Sequence, residues 1–126
     1  MPSIRRAWLG SLAIVVASCG SSTPPSPTPG DNPNQMVISS SGVLTPKEIT
    51  VPAGSRVLFI NNHSRSHQIA SDPHPEHDDC PEINQVGLLA SGQRRETGNL
   101  VTMRTCGLHD HNEPDNANLK GRIIIR

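Results

Sequence analysis

Aromatic side chains are almost missing from this chain of 126 residues: one Trp, one Phe and no Tyr. Trp8 lies in an N-terminal segment that reads as a leader, so Phe59 is the only ring left for a core. A core of one Phe with Val, Ile and Leu buries little area, and a metal or a disulfide is the expected supplement. An excess of either charge is missing too, because 11 basic residues balance 11 acidic ones. Nothing here therefore points to nucleic acid or to a strongly charged surface partner. No apolar run is long enough to span a bilayer comfortably. No sustained helical period appears, nor does any internal repeat. There is no serine-nucleophile elbow, no HExxH and no phosphate-cradling glycine loop, so catalysis is not expected. The acids of the 72–82 stretch read as a solvated loop rather than as paired acid/base carboxylates.

The N-terminus has the form of an export signal. "MPSIRR" supplies positive charge, "AWLGSLAIVVAS" is a short apolar run, and Val16-Ala17-Ser18-Cys19 resembles the bacterial lipobox. Residues 1–18 are thus expected to be a lipoprotein signal peptide, with Cys19 carrying the lipid that anchors the protein to a membrane. Residues 19–34 are rich in Ser, Thr, Pro and Gly and read as a tether. A folded domain is expected over residues 35–126, about 90 residues in all. The expected location is the cell envelope, facing the periplasm or the exterior.

Within that domain the pattern is β. "QMVIS", "LTPKEITVPAG", "SRVLFINN", "SHQIAS", "LVTMRTC" and "GRIIIR" read as short strands separated by turn signals. "SRVLFINN" fits a central strand, "LVTMRTC" alternates Val101, Met103 and Thr105, and Pro52-Ala53-Gly54 reads as a turn. Ser71–Asn84, with three prolines, reads as a loop. These signals predict an all-β Greek-key β-sandwich.

Six histidines fall in only two regions: His63, His67, His74 and His77 in one, His109 and His111 in the other. A sandwich brings the ends of non-adjacent strands together, so both groups are placed to meet at one pole. Imidazole suits copper, zinc and nickel, and a neighbouring thiolate shifts the preference toward copper or zinc. With Cys19 lipidated, Cys80 and Cys106 are left as an even pair in an oxidising compartment. Two roles stay open for Cys106: a disulfide with Cys80, or a metal ligand. If the bridge forms, His67, His109, His111 and one of His74 or His77 would make an all-imidazole copper or zinc site.

The order of these residues resembles the cupredoxin, or blue-copper, family. Val51, Gly54, Val57, Phe59 and Asn61 match its "V-x-x-G-x-x-V-x-F-x-N" stretch, and His67 falls where its first ligand stands. Cys106 and His109 match its Cys-x2-His spacing, and Gly121 opens the closing strand as the family's glycine does. The resemblance covers about Leu44 to Arg126, with a His-rich insertion. It implies copper held by His67, Cys106 and His109, with His111 a further candidate ligand, and single-electron transfer with a redox partner protein of unknown identity; the alternatives are a copper-handling module without a redox partner and a metal-free interaction domain closed by a Cys80–Cys106 disulfide. It also exposes a departure. Leu119 stands where the family has an axial Met, leaving that position empty or filled by His111, Glu113 or a backbone carbonyl.

Overall fold

A computed structural model describes residue 20 and residues 33–126. The expected signal peptide, Cys19 and most of the tether lie outside the described residues. Among the described residues nine strands form two sheets: β1 Gln35–Ile38, β2 Leu44–Thr45, β3 Glu48–Val51, β4 Leu58–Asn61, β5 His67–Ser71, β6 Gly87–Leu89, β7 Arg94–Glu96, β8 Arg104–Asp110 and β9 Gly121–Ile125. One sheet runs β2-β1-β4-β7 and the other β3-β9-β8-β5-β6. β1 pairs with β4, and β3 with β9, in parallel; the other pairings are antiparallel. The all-β sandwich predicted from the sequence is the architecture present.

Alternation drives the assembly. Met36 and Ile38 of β1, and Ile123 and Ile125 of β9, turn inward while their neighbours are less buried. Phe59, the one Phe of the chain, is fully buried with Leu44, Val57, Ile69, Leu89, Leu100 and Leu108. The Pro52-Ala53-Gly54 turn forms as expected: Ser55 N donates to Pro52 O at 3.1 Å, and Gly54 takes a φ of 89° that disfavours other residues.

Two strands carry no clear signal in the sequence. β6 is three residues long, and β7, "RRE", is charged and wholly exposed. β7 is held by its ladder to β4 and blunts that edge of the sheet with charge. The strand expected over "LVTMRTC" is shifted. Val101 and Met103 are 61% and 73% exposed, and β8 begins at Arg104 and continues through the Cys-x2-His stretch to Asp110. Cys106, Leu108 and Asp110 are buried in one phase, and His109 is buried too, from the other. The loop expected over Ser71–Asn84 is present but shorter: Ser71 closes β5, and a 3-10 turn, Ile83–Gln85, ends the loop and buries Ile83.

Candidate metal centre

The site is built on the β5–β8 pair. In its register Ile69 faces Asp110, Ala70 faces His109 and Ser71 faces Leu108. Paired residues share a face and successive residues alternate, so His109 and Asp110 point to opposite sides of the sheet. The ladder continues one step beyond β8, with His111 N donating to Gln68 O at 2.7 Å. The stretch His109-Asp110-His111 therefore sends two imidazoles outward and one carboxylate inward. His67, Cys106, His109 and His111, the four residues expected to gather, are divided between the two faces.

On the inner face, Cys106 forms a disulfide with Cys80, and both are fully buried. A bridged sulfur offers no thiolate to a metal. His67 is buried with both ring nitrogens engaged: Nδ1 with Asp110 Oδ2 at 2.6 Å, and Nε2 with His63 Nδ1 at 2.8 Å. The other oxygen of Asp110 accepts from Gln68 N and Asn112 N, each at 3.0 Å. Asn61 shapes the turn that delivers these rings, donating to Arg65 O and Leu89 O and accepting from His63 N. Leu119 is buried and brings no donor. The inner group is a closed set of hydrogen bonds.

On the outer face the 72–80 loop folds back over β8. His74, His77 and His109 bring one ligand atom each to within 4.8 Å of one another. Two nitrogens on one ion, at about 2.0–2.1 Å each, stand no more than about 4.2 Å apart. The group is thus a side-chain adjustment away from a metal cage. His111 joins it, its Nδ1 lying 2.8 Å from His77 Nε2 and its ring centroid 5.1 Å from that of His74.

Tautomers follow from the partners. His77 Nδ1 lies 2.8 Å from the Ser71 carbonyl, which only accepts, so Nδ1 carries the proton and Nε2 keeps a lone pair. His109 Nδ1 lies 2.5 Å from Asp72 Oδ1, which fixes its proton in the same way. His109 Nε2 is buried and has no hydrogen-bond partner. His77 also holds a left-handed φ of 55°, a strain of order 1 kcal/mol for a non-glycine residue. Asn84 Nδ2, donating to His77 O at 2.7 Å, helps to keep it there. The facing 111–120 segment is tied down by Lys47, whose Nζ donates to Ala117 O and Asn118 O at 2.7 and 2.6 Å. Desolvation by partial burial lowers the Lys47 pKa.

Solved structures share this architecture. A purple cupredoxin from Nitrosopumilus maritimus superposes with a TM-score of 0.56 at 19% identity, covering 73% of this chain and 98% of that one. The oxidised plastocyanin of Dryopteris crassirhizoma gives 0.57 at 21% identity, covering 73% and 99%. The fold is that of the cupredoxins. A Cu-containing nitrite reductase from Thermus scotoductus also matches, at 0.54 and 17% identity, with 75% of this chain covering 22% of that one. No family model and no curated protein matches the sequence. At these identities the likeness is one of fold, and a cupredoxin scaffold serves both small cupredoxins and part of a reductase.

His74 and His77, expected only as alternates to one another, both belong to the outer group. Asp72, expected to be a solvated loop acid, instead reaches across to His109, and its position two residues before His74 gives no sign of this.

Proposed function

We propose that this protein is a copper-binding module of the cell envelope, holding its ion on the outer-face imidazoles. His74, His77 and His109 are the ligands and His111 the fourth donor beside them; His67 and Cys106 serve the fold. The observation that carries this reading is His109 Nε2, buried and without a hydrogen-bond partner, on a ring that brings a ligand atom to within 4.8 Å of those of His74 and His77. Leaving such an acceptor unmade costs about 1–3 kcal/mol, a cost that a bound cation removes. An all-imidazole set suits copper, and zinc second. When bound, copper supplies a single-electron couple.

The chain's own residues do the rest. Asp72 and the Ser71 carbonyl hold the protons of His109 and His77 on Nδ1, so both present Nε2 to the ion. The Cys80–Cys106 bridge fastens the loop that carries two of the ligands. With that sulfur bridged, thiolate-mediated blue-copper electron transfer is not the chemistry this site favours, and copper holding or transfer fits better. The disulfide suits an oxidising compartment, and the lipobox at Cys19 supports anchoring to a membrane there. The test is a copper titration, with zinc in competition, of the exported protein and of the His77→Ala/His109→Ala variant. One tight copper per chain, lost in the variant, is expected; equal stoichiometry in both would exclude this site.

A further inference from the structure

We propose that Asp72 is the positioning residue of this imidazole site and that position 107 is glycine in order to admit it. The inference rests on the copper-site reading above and deepens it. Asp72 follows β5 directly, and its backbone N donates to Gly107 O at 3.0 Å. Its side chain then crosses over Gly107 to reach His109 Nδ1. A Cβ built on Gly107 would overlap Asp72 Oδ2 and stand 2.9 Å from Cγ and 3.2 Å from Cβ. The obstructed group is the carboxylate itself, whose other oxygen is tied to His109. Any side chain at 107 therefore pushes the carboxylate off the imidazole.

The backbone around it has little slack. Asp79 N donates to Asp72 O at 3.0 Å, and Gly107 N donates to Asp79 Oδ2 at 3.3 Å. The stretch Cys106-Gly107-Leu108-His109 thus has a division of labour. Cys106 bonds the far end of the histidine loop, Gly107 makes room for Asp72 at its near end, and His109 receives the carboxylate. What Asp72 sets is a tautomer. A carboxylate accepts and does not donate, so His109 keeps its proton on Nδ1 and a lone pair on the buried Nε2. Without Asp72, a neutral imidazole is free to place its proton on Nε2, where it blocks a metal. Carboxylates behind ligating histidines are worth about 10- to 100-fold in metal affinity.

The experiment uses two readouts. The first is the His109 tautomer, from long-range nitrogen–proton NMR correlations of the metal-free protein. The second is affinity for copper, measured with the metal alone against a competing chelator. The wild type is expected to show the Nδ1–H tautomer. Asp72→Asn, which keeps an accepting oxygen but no charge, should retain it and lose about 10-fold in affinity. Asp72→Ala should lose the tautomer preference and about 100-fold. Gly107→Ala should reproduce Asp72→Ala, and the double variant should be no worse than either, since one contact is removed in each. Should Gly107→Ala not fold, the two Asp72 variants carry the test, because they add no bulk. An Nδ1–H tautomer persisting in Asp72→Ala, or wild-type affinity in that variant, would overturn the proposal. A wild type that binds no copper would remove the proposed function, while the tautomer measurement would still decide the role of Asp72.

Discussion

Replacing both cysteines, Cys80→Ala with Cys106→Ala, tests the inner face, and its size follows from the chain. The bridge joins residues 26 apart in sequence. Closing a loop of that length lowers the entropy of the unfolded chain by an amount worth about 3.5 kcal/mol at room temperature. The two Ala side chains refill part of the buried volume that both sulfurs occupy, so packing adds to the loss rather than offsetting it. Removing both sulfurs avoids leaving a free thiol, which would itself bind copper and obscure the result. For a domain this small, a loss of about 3.5 kcal/mol is a large share of a total that typically lies between about 5 and 15 kcal/mol. The assay is urea denaturation of the metal-free protein, comparing midpoints at matched slope. The outer-face contacts of the loop, His77 with Ser71 and Asp72 with Gly107, do not involve sulfur. Copper stoichiometry should therefore survive in the folded fraction. A loss below about 1 kcal/mol would refute the view that this bridge is a main support of a thinly aromatic core.

Copper(II)-loaded protein should show only weak visible absorption, because no thiolate is present to give intense charge transfer; a strong visible band would place a free Cys106 on the metal. His67→Ala should leave copper stoichiometry at the wild-type value and destabilise the fold by about 1–3 kcal/mol, since Asp110 loses a buried donor. Loss of copper in that variant, with the fold intact, would move the site to the inner face. Cys19→Ser should shift the protein from membranes to the soluble envelope fraction, and continued membrane association after high-salt washing would argue against a lipid anchor.

The parts of the fold that the sequence announces are those where one residue's chemistry dictates one local outcome. Pro52-Ala53-Gly54 has a fixed φ followed by a residue tolerant of positive φ, and it turns. "VLFI" has no polar face to expose: Val57, Phe59 and Ile60 are buried, and β4 starts at Leu58. The stretch after Ser71, with its three prolines, does not continue the ladder, and it loops. β7 is different in kind. Nothing in "RRE" selects a strand, and only the partner β4 makes it one. β8 lies between these cases, since "VTMRTC" and "TCGLHD" both alternate and only burial decides which phase is the strand.

That decision about β8 also governs the site. Had the strand ended at Cys106, His109 and His111 would sit in a loop free to swing toward His67, as the cupredoxin resemblance implies. Because the ladder runs on past Asp110, alternation assigns each residue to a face. The Cys-x2-His spacing, whose members differ by an odd number, then separates Cys106 from His109 rather than joining them. The same rule explains why His109 and His111, two apart, meet the loop together and why Asp110 turns to His67. Ligand spacing in sequence has a chemical meaning only once the backbone period is known. Here a strand continued by four residues turns a motif that resembles one shared site into two groups, one on each face of the sheet.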